Sequence, residues 1–286
     1  MILITGAAGK TGQSVLKALV QRGEDVRGLV RRDQQVEAVK ALGAAEVRVG
    51  SFDDPNILLH ACGGARAVYH VCPNVSPHEE QYARNTIAAA VGSGVTRFVY
   101  HSVLHPQIEA MPHHWAKLRV EEMLLASGLD VTILQPTAYM QNILAGWPGI
   151  VADGVFWVPY PVETRLSLVD LQDVGAAAAR VSTEPGHEGA TYELVGTAPL
   201  SQIEIAAVLS QTLGRPVGAV AAPVESWDQR VGAARMDDHA RATLIKMFCS
   251  YGQHGLVGNS NVLRWLLGRA PTTLAMFAAR AAAGQA

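Results

Sequence analysis

The sequence predicts an open α/β fold: a doubly wound parallel sheet with helices on both faces, joined to a smaller, partly discontinuous α+β lobe in the C-terminal third. Three observations predict it. Short β-branched runs alternate with helix-length stretches as far as Pro136. A glycine-rich turn joins the first run to the first helix. After Pro136 the rhythm changes to short, proline-broken pieces and then to helices.

Taken in order, ILIT (2–5), DVRGLV (25–30), EVRV (46–49), AVYHV (67–71), RFVYHSV (97–103) and DVTILQ (130–135) read as strands. Between them QSVLKALVQRG, QQVEAVKALG, PNILLHAC, PHEEQYARNTIAAAVGSG and HHWAKLRVEEMLLASG read as helices, several closing on a glycine. TAYMQNILAGWPG reads as a helix broken at Trp147-Pro148, followed by a Pro- and Gly-rich excursion to about residue 163. LVDLQDVGAAAARV is helical with Asp170 as its cap, and TYELVG (191–196) reads as one more strand of the main sheet. Beyond Leu200, SQIEIAAVLSQTLG and the stretches 224–248 and 259–280 read as helices around a short strand, PVGAVAA.

Composition removes several function classes. Of the 286 residues 49% are apolar and 17% charged, enough for a large core and against disorder. The net charge of −2 and the absence of a Lys/Arg run leave no electrostatic footprint for nucleic acid. Cys62, Cys72 and Cys249 form no CxxC pair and fit a reducing compartment. Met1 runs straight into ILIT without a basic leader, and the most apolar stretch, 143–162, is interrupted by three prolines, three glycines and Asp153. The expectation is a soluble, cytoplasmic protein with no membrane span.

The turn GAAGKTG admits two readings. A P-loop needs a glycine five positions before Gly9, and Ile4 stands there, inside the first strand. The dinucleotide reading fits on both sides: a strand ends at Thr5, glycines fall at 6, 9 and 12, and a helix follows. Gly6, Ala8, Gly9, Lys10, Thr11 and Gly12 then wrap a pyrophosphate against the helix N-terminus. The second strand runs into Arg31-Arg32, whose guanidinium groups suit a 2′-phosphate. This favours NADP(H) over NAD(H), while Asp33 keeps NAD(H) open. No metal site is expected.

An open parallel sheet binds its ligand at the carboxyl ends of its strands, so the other candidates are sought there. Phe52 could pack on the adenine with Asp53 near its amine. Cys72, Pro73 and Asn74 form a turn suited to run beneath the nicotinamide ribose. Ser102 and His105 follow the fifth strand; Pro136, Tyr139 and Asn142 follow the sixth. Each is equally readable as ordinary loop chemistry.

The turn TGAAGKTG, the Arg pair, HHWAKLRVEEMLLASGLDVTILQPTAYMQN, SLVDLQDVGAAA and LLGRAPTT together resemble the NmrA-like family, atypical members of the short-chain dehydrogenase/reductase superfamily. The resemblance implies a Rossmann domain over 1–136, completed by about 165–196. Residues 137–164 and 197–286 would form a smaller substrate lobe. It implies NADP(H), and either a reductase of quinones, dyes and similar small molecules or a catalytically silent NADP sensor.

One departure matters. Superfamily enzymes carry Tyr-x-x-x-Lys; here Lys117 fits the lysine position, but His113 stands where the tyrosine would, with His114 beside it. His113 could donate a proton near neutral pH, although Lys117 would disfavour its charged form. Lys117 is read as a ribose or substrate contact, with a simple pairing to Glu121 as the alternative. Tyr139 could supply the missing hydroxyl or stack on a flat substrate. His105, His114, Asn142 and Trp157 are candidate substrate contacts, and Trp147, Phe156 and Tyr160 further candidate cavity wall. The two functions under consideration are therefore an NADPH-dependent reductase of a small flat or carbonyl-type compound, and a nucleotide-responsive regulator with a protein partner. A homodimer is left open.

Overall fold

The computed structural model describes residues 1–223 and 237–285. The chain forms two compact units: Met1–Ile108 with His113–Pro136 and Leu171–Tyr192, and Glu109–Pro112 with Thr137–Asp170 and Glu193–Ala286.

The sheet consists of β1 (Ile2–Ile4), β2 (Val26–Val30), β3 (Glu46–Val49), β4 (Ala67–His70), β5 (Arg97–His101), β6 (Asp130–Pro136) and β11 (Thr191–Leu194), in the order β11-β6-β5-β4-β1-β2-β3. The pairs from β3 through to β6 are parallel. β11 adds the edge strand expected from TYELVG. Because β1 is flanked by β2 on one side and β4 on the other, the winding reverses there, which is where an open parallel sheet takes its ligand.

Both faces are covered, as an all-parallel sheet requires. On one face α1 (Lys10–Gln21) packs closely on α7 (Leu171–Thr183). A Cβ on Gly175 would lie 2.6 Å from Ser14 Oγ, so only glycine lets these helices meet. On the other face Leu3, Val68, Phe98, Tyr100 and Val131 meet the apolar stripes of α3 (Pro55–Cys62), α4 (Glu79–Gly92) and α5 (Pro112–Leu125). Glu79, Ala83, Thr86, Ile87 and Ala90 form the buried stripe of α4, at helical spacing, so Glu79 heads an otherwise largely apolar face.

The second unit corrects one expectation. TAYMQNILAGWPG is not a helix broken at Trp147-Pro148. Ala138–Tyr139 is a two-residue strand (β7) paired in parallel with β10 (Leu168–Val169), Met140–Gly146 is a 3-10 turn, and α6 (Trp147–Asp153) begins at the tryptophan. Proline in a first turn lacks only an N–H that would be unbonded anyway, so Pro148 starts this helix rather than ending one. Strand β8 (Val155–Val158) pairs with β13 (Gly218–Ala221). Two-residue β9 (Arg165–Leu166) and β12 (Leu200–Ser201) pair with each other. Helices α8 (Gln202–Leu213), α9 (Asp238–His254), α10 (Ser260–Leu267) and α11 (Leu274–Ala282) follow the Ser201, Asp237, Asn259 and Thr273 caps. The helix expected over 224–248 is seen from Asp238 on; 224–236 lie outside the described residues. Asp170, buried just before α7, is ion-paired with Arg280 of α11 and accepts from Gln141 Nε2 at 3.0 Å. Among the described residues no helix is long and apolar enough to cross a membrane.

Candidate functional site

The turn after β1 sits at the reversal of the sheet. Gly6 has φ +60°, and a Cβ there would lie 2.8 Å from the Val71 carbonyl, so the ends of β1 and β4 abut only because residue 6 is glycine. At Gly12 a Cβ would fall 2.4 Å from the Gly6 carbonyl. Gly9 differs: its φ is −76°, and a Cβ would meet nothing nearer than Gly6 O at 3.4 Å. The turn itself demands glycine at 6 and 12; at 9 the space is open. Gly9 is also the N-cap of α1, and no side chain caps that end. The first N–H groups of the helix, at Lys10, Thr11 and Gly12, are thus left for an anion, with no acidic residue in the first turn to compete. Ala8 is tied down by Gln13, whose Nε2 donates to its carbonyl at 2.8 Å.

Arg31 and Arg32 follow β2 and are exposed. Gln35 Oε1 accepts from both of their backbone N–H groups, at 3.2 and 3.1 Å, shaping the loop. Neither guanidinium is in an ion pair among the described residues, unlike Arg22, Arg66 and Arg97, which all hold carboxylates. Asp33 opens the next short turn. These features fit a dinucleotide with a further phosphate.

Phe52, expected to pack on adenine, is turned inward: it is 9% exposed, its ring stacked on Tyr82 at 5.1 Å and set edge-on to His70 at 5.6 Å. Its face is committed to the core between sheet and α4. Asp53 is exposed, bonded to Ser51, and 3.4 Å from the Tyr82 hydroxyl.

After β4 the chain runs through Cys72, Pro73 and Asn74 to Val75, which is buried at φ +53°. Past β5, His105 has φ +55°. A left-handed β-branched residue is rare and costs of order 1–3 kcal/mol, so the backbone after β4 is strained at Val75, whereas histidine adopts this region more readily. Cys72 is buried and its thiol is pushed up by burial and by Glu79, which leaves it inert.

Beneath these loops lies a buried polar cluster. Glu79 Oε1 accepts from Lys117 Nζ at 2.9 Å and from the Tyr100 hydroxyl at 2.9 Å. Lys117 also donates to the His101 carbonyl at 3.0 Å, and its ammonium lies 5.1 Å from the Tyr100 ring centre. Tyr69 OH and His101 Nδ1 share a hydrogen bond of 2.6 Å, and Thr5 Oγ1 and His70 Nδ1 one of 3.0 Å. Glu121, the alternative partner for Lys117, is instead bonded by Ser102 and by Gln135 Nε2 at 2.9 Å. On α5 the inward face is His114, Lys117, Val120, Glu121 and Leu124. His114 donates from Nδ1 to the His105 carbonyl at 3.2 Å, while His113 is half-buried beside it.

Comparison with known proteins gives the chain its relatives. The model of the NmrA-like family matches residues 1–276. The chain belongs to the NmrA-like family. It is 30% identical over 280 residues to an NAD(P)H azoreductase of Xenophilus azovorans, covering 97% of this chain and 96% of that one. It is 29% identical over 277 residues to quinone oxidoreductase 2 of Escherichia coli, covering 96% of each. The crystal structure of the Escherichia coli NADPH-dependent quinone oxidoreductase with NADPH superposes with a TM-score of 0.86 at 28% identity, covering 98% of this chain and 99% of that one.

In this NmrA-like chain the histidines around Lys117 are neutral at pH 7. Burial, aided by the Lys117 charge, holds His113 and His101 down to about 3, and burial holds His70 and His114 down to about 4. The expectation that His113 donates a proton near neutral pH is therefore corrected: its imidazole is neutral there. Glu79 was missed altogether. Burial would raise its pKa, but the Lys117 charge and hydrogen bond bring it to about 2. The signal was present, since a glutamate at the head of an apolar stripe must have a buried partner.

These shifts predict an acid response. A histidine whose folded pKa is lowered binds a proton more readily when unfolded, so stability falls as pH drops from about 6.5 towards about 4. Each buried histidine contributes a slope of up to about 1.4 kcal/mol per pH unit there. The Glu79 contribution is present above about 4.5 and goes only as pH falls towards about 2. Urea unfolding at pH 7, 6 and 5 should show a steep loss across that window. A flat profile down to pH 5 would mean that these histidines are not buried neutral.

The second unit holds Tyr139, Asn142 and Trp157. Tyr139 is half-buried at the register position opposite Val169, Asn142 is exposed, and Trp157 is half-exposed on β8. Phe156 and Val158 take the buried face of that strand, so Phe156 packs the lobe rather than lining a surface. Tyr160 stands at 6.1 Å, edge-on to Phe248.

Proposed function

We propose that the chain is an NADPH-dependent reductase of a small, flat, quinone-like or carbonyl-type compound. The observation that carries this reading is the uncapped start of α1, open at Gly9 and set at the sheet reversal, with two guanidinium groups at the end of the neighbouring strand that hold no carboxylate among the described residues. The full-length likeness to an azoreductase and a quinone oxidoreductase supports the redox assignment and the substrate class.

Bound NADPH would supply hydride; the chain supplies binding and orientation. The turn 6–12 holds the pyrophosphate, Arg31 and Arg32 the 2′-phosphate, and the 72–74 turn, Ser102 and Pro136 border the nicotinamide end. Lys117 is proposed as the group that contacts ribose or substrate. Tyr139, Asn142, Trp157, His105 and His114 are proposed substrate contacts, and the second unit is taken as the substrate lobe. Three free cysteines agree with a reducing, cytoplasmic setting.

The test is NADPH oxidation against a benzoquinone, an azo dye and an aldehyde. Turnover of the quinone or the dye is expected. Tight NADPH binding with no acceptor reduced would instead favour the regulatory reading, on which a neutral His113 in place of the tyrosine bears directly. Cofactor choice has its own test. Arg31→Ala/Arg32→Ala should weaken NADPH by about 1.5–3 kcal/mol in calorimetry while leaving NADH affinity unchanged. A double variant that binds NADPH normally would remove the phosphate assignment.

A further inference from the structure

We propose that Glu79 is the positioning residue of this site: from the first turn of α4 its carboxylate fixes the Lys117 ammonium at the ends of β4 and β5 and supplies its counter-charge. The proposal rests on the reductase reading, in which Lys117 meets cofactor or substrate.

The geometry is specific. Glu79 is 1% and Lys117 4% exposed, so neither charge is hydrated and each needs the other. One carboxylate oxygen, Oε1, gathers Lys117 Nζ and Tyr100 OH, both at 2.9 Å. The His101 carbonyl takes a second ammonium hydrogen at 3.0 Å, which leaves the third free to point elsewhere. Tyr100 holds the carboxylate from β5, and the start of α4 favours a negative charge there.

The cluster also reaches the sheet reversal. His70 is bonded through Nδ1 to Thr5 next to Gly6, and among the described residues neither its buried Nε2 nor Glu79 Oε2 has a hydrogen-bond partner. A pair kept only for stability has no need of these open valences, and a well-packed apolar pair of similar size often serves as well. Other titratable groups face Lys117: His70 and Cys72 from β4 and its turn, Tyr100 and His101 from β5, and His113, His114 and Glu121 along α5. All four histidines are neutral at pH 7, and Glu121 is bonded to Ser102 and Gln135, so Glu79 is the carboxylate that meets the ammonium.

Glu79→Gln keeps the size and an acceptor oxygen but removes the charge. Left alone in a buried site, the Lys117 ammonium then loses its proton more readily. In turnover of a benzoquinone with NADPH, the basic limb of kcat/KM should move down by at least about one pH unit, and Glu79→Asp should bring it back. The apoprotein gives an independent readout. The unfolded lysine holds a proton that the folded variant gives up, so the melting temperature of Glu79→Gln should rise between pH 7 and 10 relative to wild type.

If Glu79→Gln does not fold, both profiles are taken in trimethylamine N-oxide, which favours the compact state. Wild-type pH profiles in both assays for Glu79→Gln would overturn the proposal. Lys117→Ala with wild-type kcat/KM, or activity recovered in Glu79→Gln/Lys117→Met, would instead remove the reading beneath it.

Discussion

Replacing Gly9 by valine should leave a folded protein that binds NADPH at least about 100-fold more weakly, roughly 2.7 kcal/mol. The three glycines of the turn separate cleanly. Gly6 is left-handed and pressed on the Val71 carbonyl, and Gly12 is pressed on the Gly6 carbonyl, so both are required by the turn itself. Gly9 has an ordinary φ and an unobstructed Cβ direction, which the fold alone does not need. A branched side chain there enters the space in front of the first N–H groups of α1, where a pyrophosphate must approach. Calorimetric titration should show the loss, while the circular-dichroism melt stays within a few degrees of wild type. Gly12→Ala should do the reverse and unfold at lower temperature. NADPH binding at wild-type strength in Gly9→Val would make the turn structural and take the cofactor assignment with it.

What the sequence discloses depends on whether a residue acts through its neighbours in the chain. The turn 6–12, the Arg pair and the α/β alternation are local: spacing alone places them, and the strand order β3-β2-β1-β4-β5-β6 then follows from short right-handed crossovers. The buried cluster is not local. Glu79 and Lys117 lie 38 positions apart, and nothing in either helix alone shows that α4 and α5 bring them to the same strand ends. An i,i+4 rule therefore offered Glu121 to Lys117, whereas the fold gives Glu121 to Ser102 and Gln135. The same limit applies to Phe52. Its position after a strand was legible, but Tyr82 on α4, which covers its ring, was not. His113 shows the limit for chemistry: its place in the pattern was clear, but its charge depends on burial and on Lys117, which only the folded chain supplies.

Lys117→Ala should have the largest combined effect on stability and turnover. The substitution leaves the Glu79 carboxylate 1% exposed with no cation, and breaking a buried pair by removing one partner costs about 3–5 kcal/mol. A shift of that size is a large part of a typical domain's stability and should appear as a fall in melting temperature of several degrees or more. Turnover should fall as well, by at least about tenfold in kcat/KM, roughly 1.4 kcal/mol of transition-state stabilisation. The two effects separate by temperature and concentration: kcat/KM is measured well below the melt, where the variant is folded by circular dichroism and NADPH saturates it. A defect that persists there belongs to the site. His113→Ala should matter less, since a neutral imidazole neither pairs with Glu79 nor supplies a proton. If Lys117→Ala melts with wild type, the buried ion pair does not form. If it melts early yet turns over a quinone at the wild-type rate, Lys117 only holds α5 to the sheet, and the proton for reduction comes from solvent or from a residue outside this cluster.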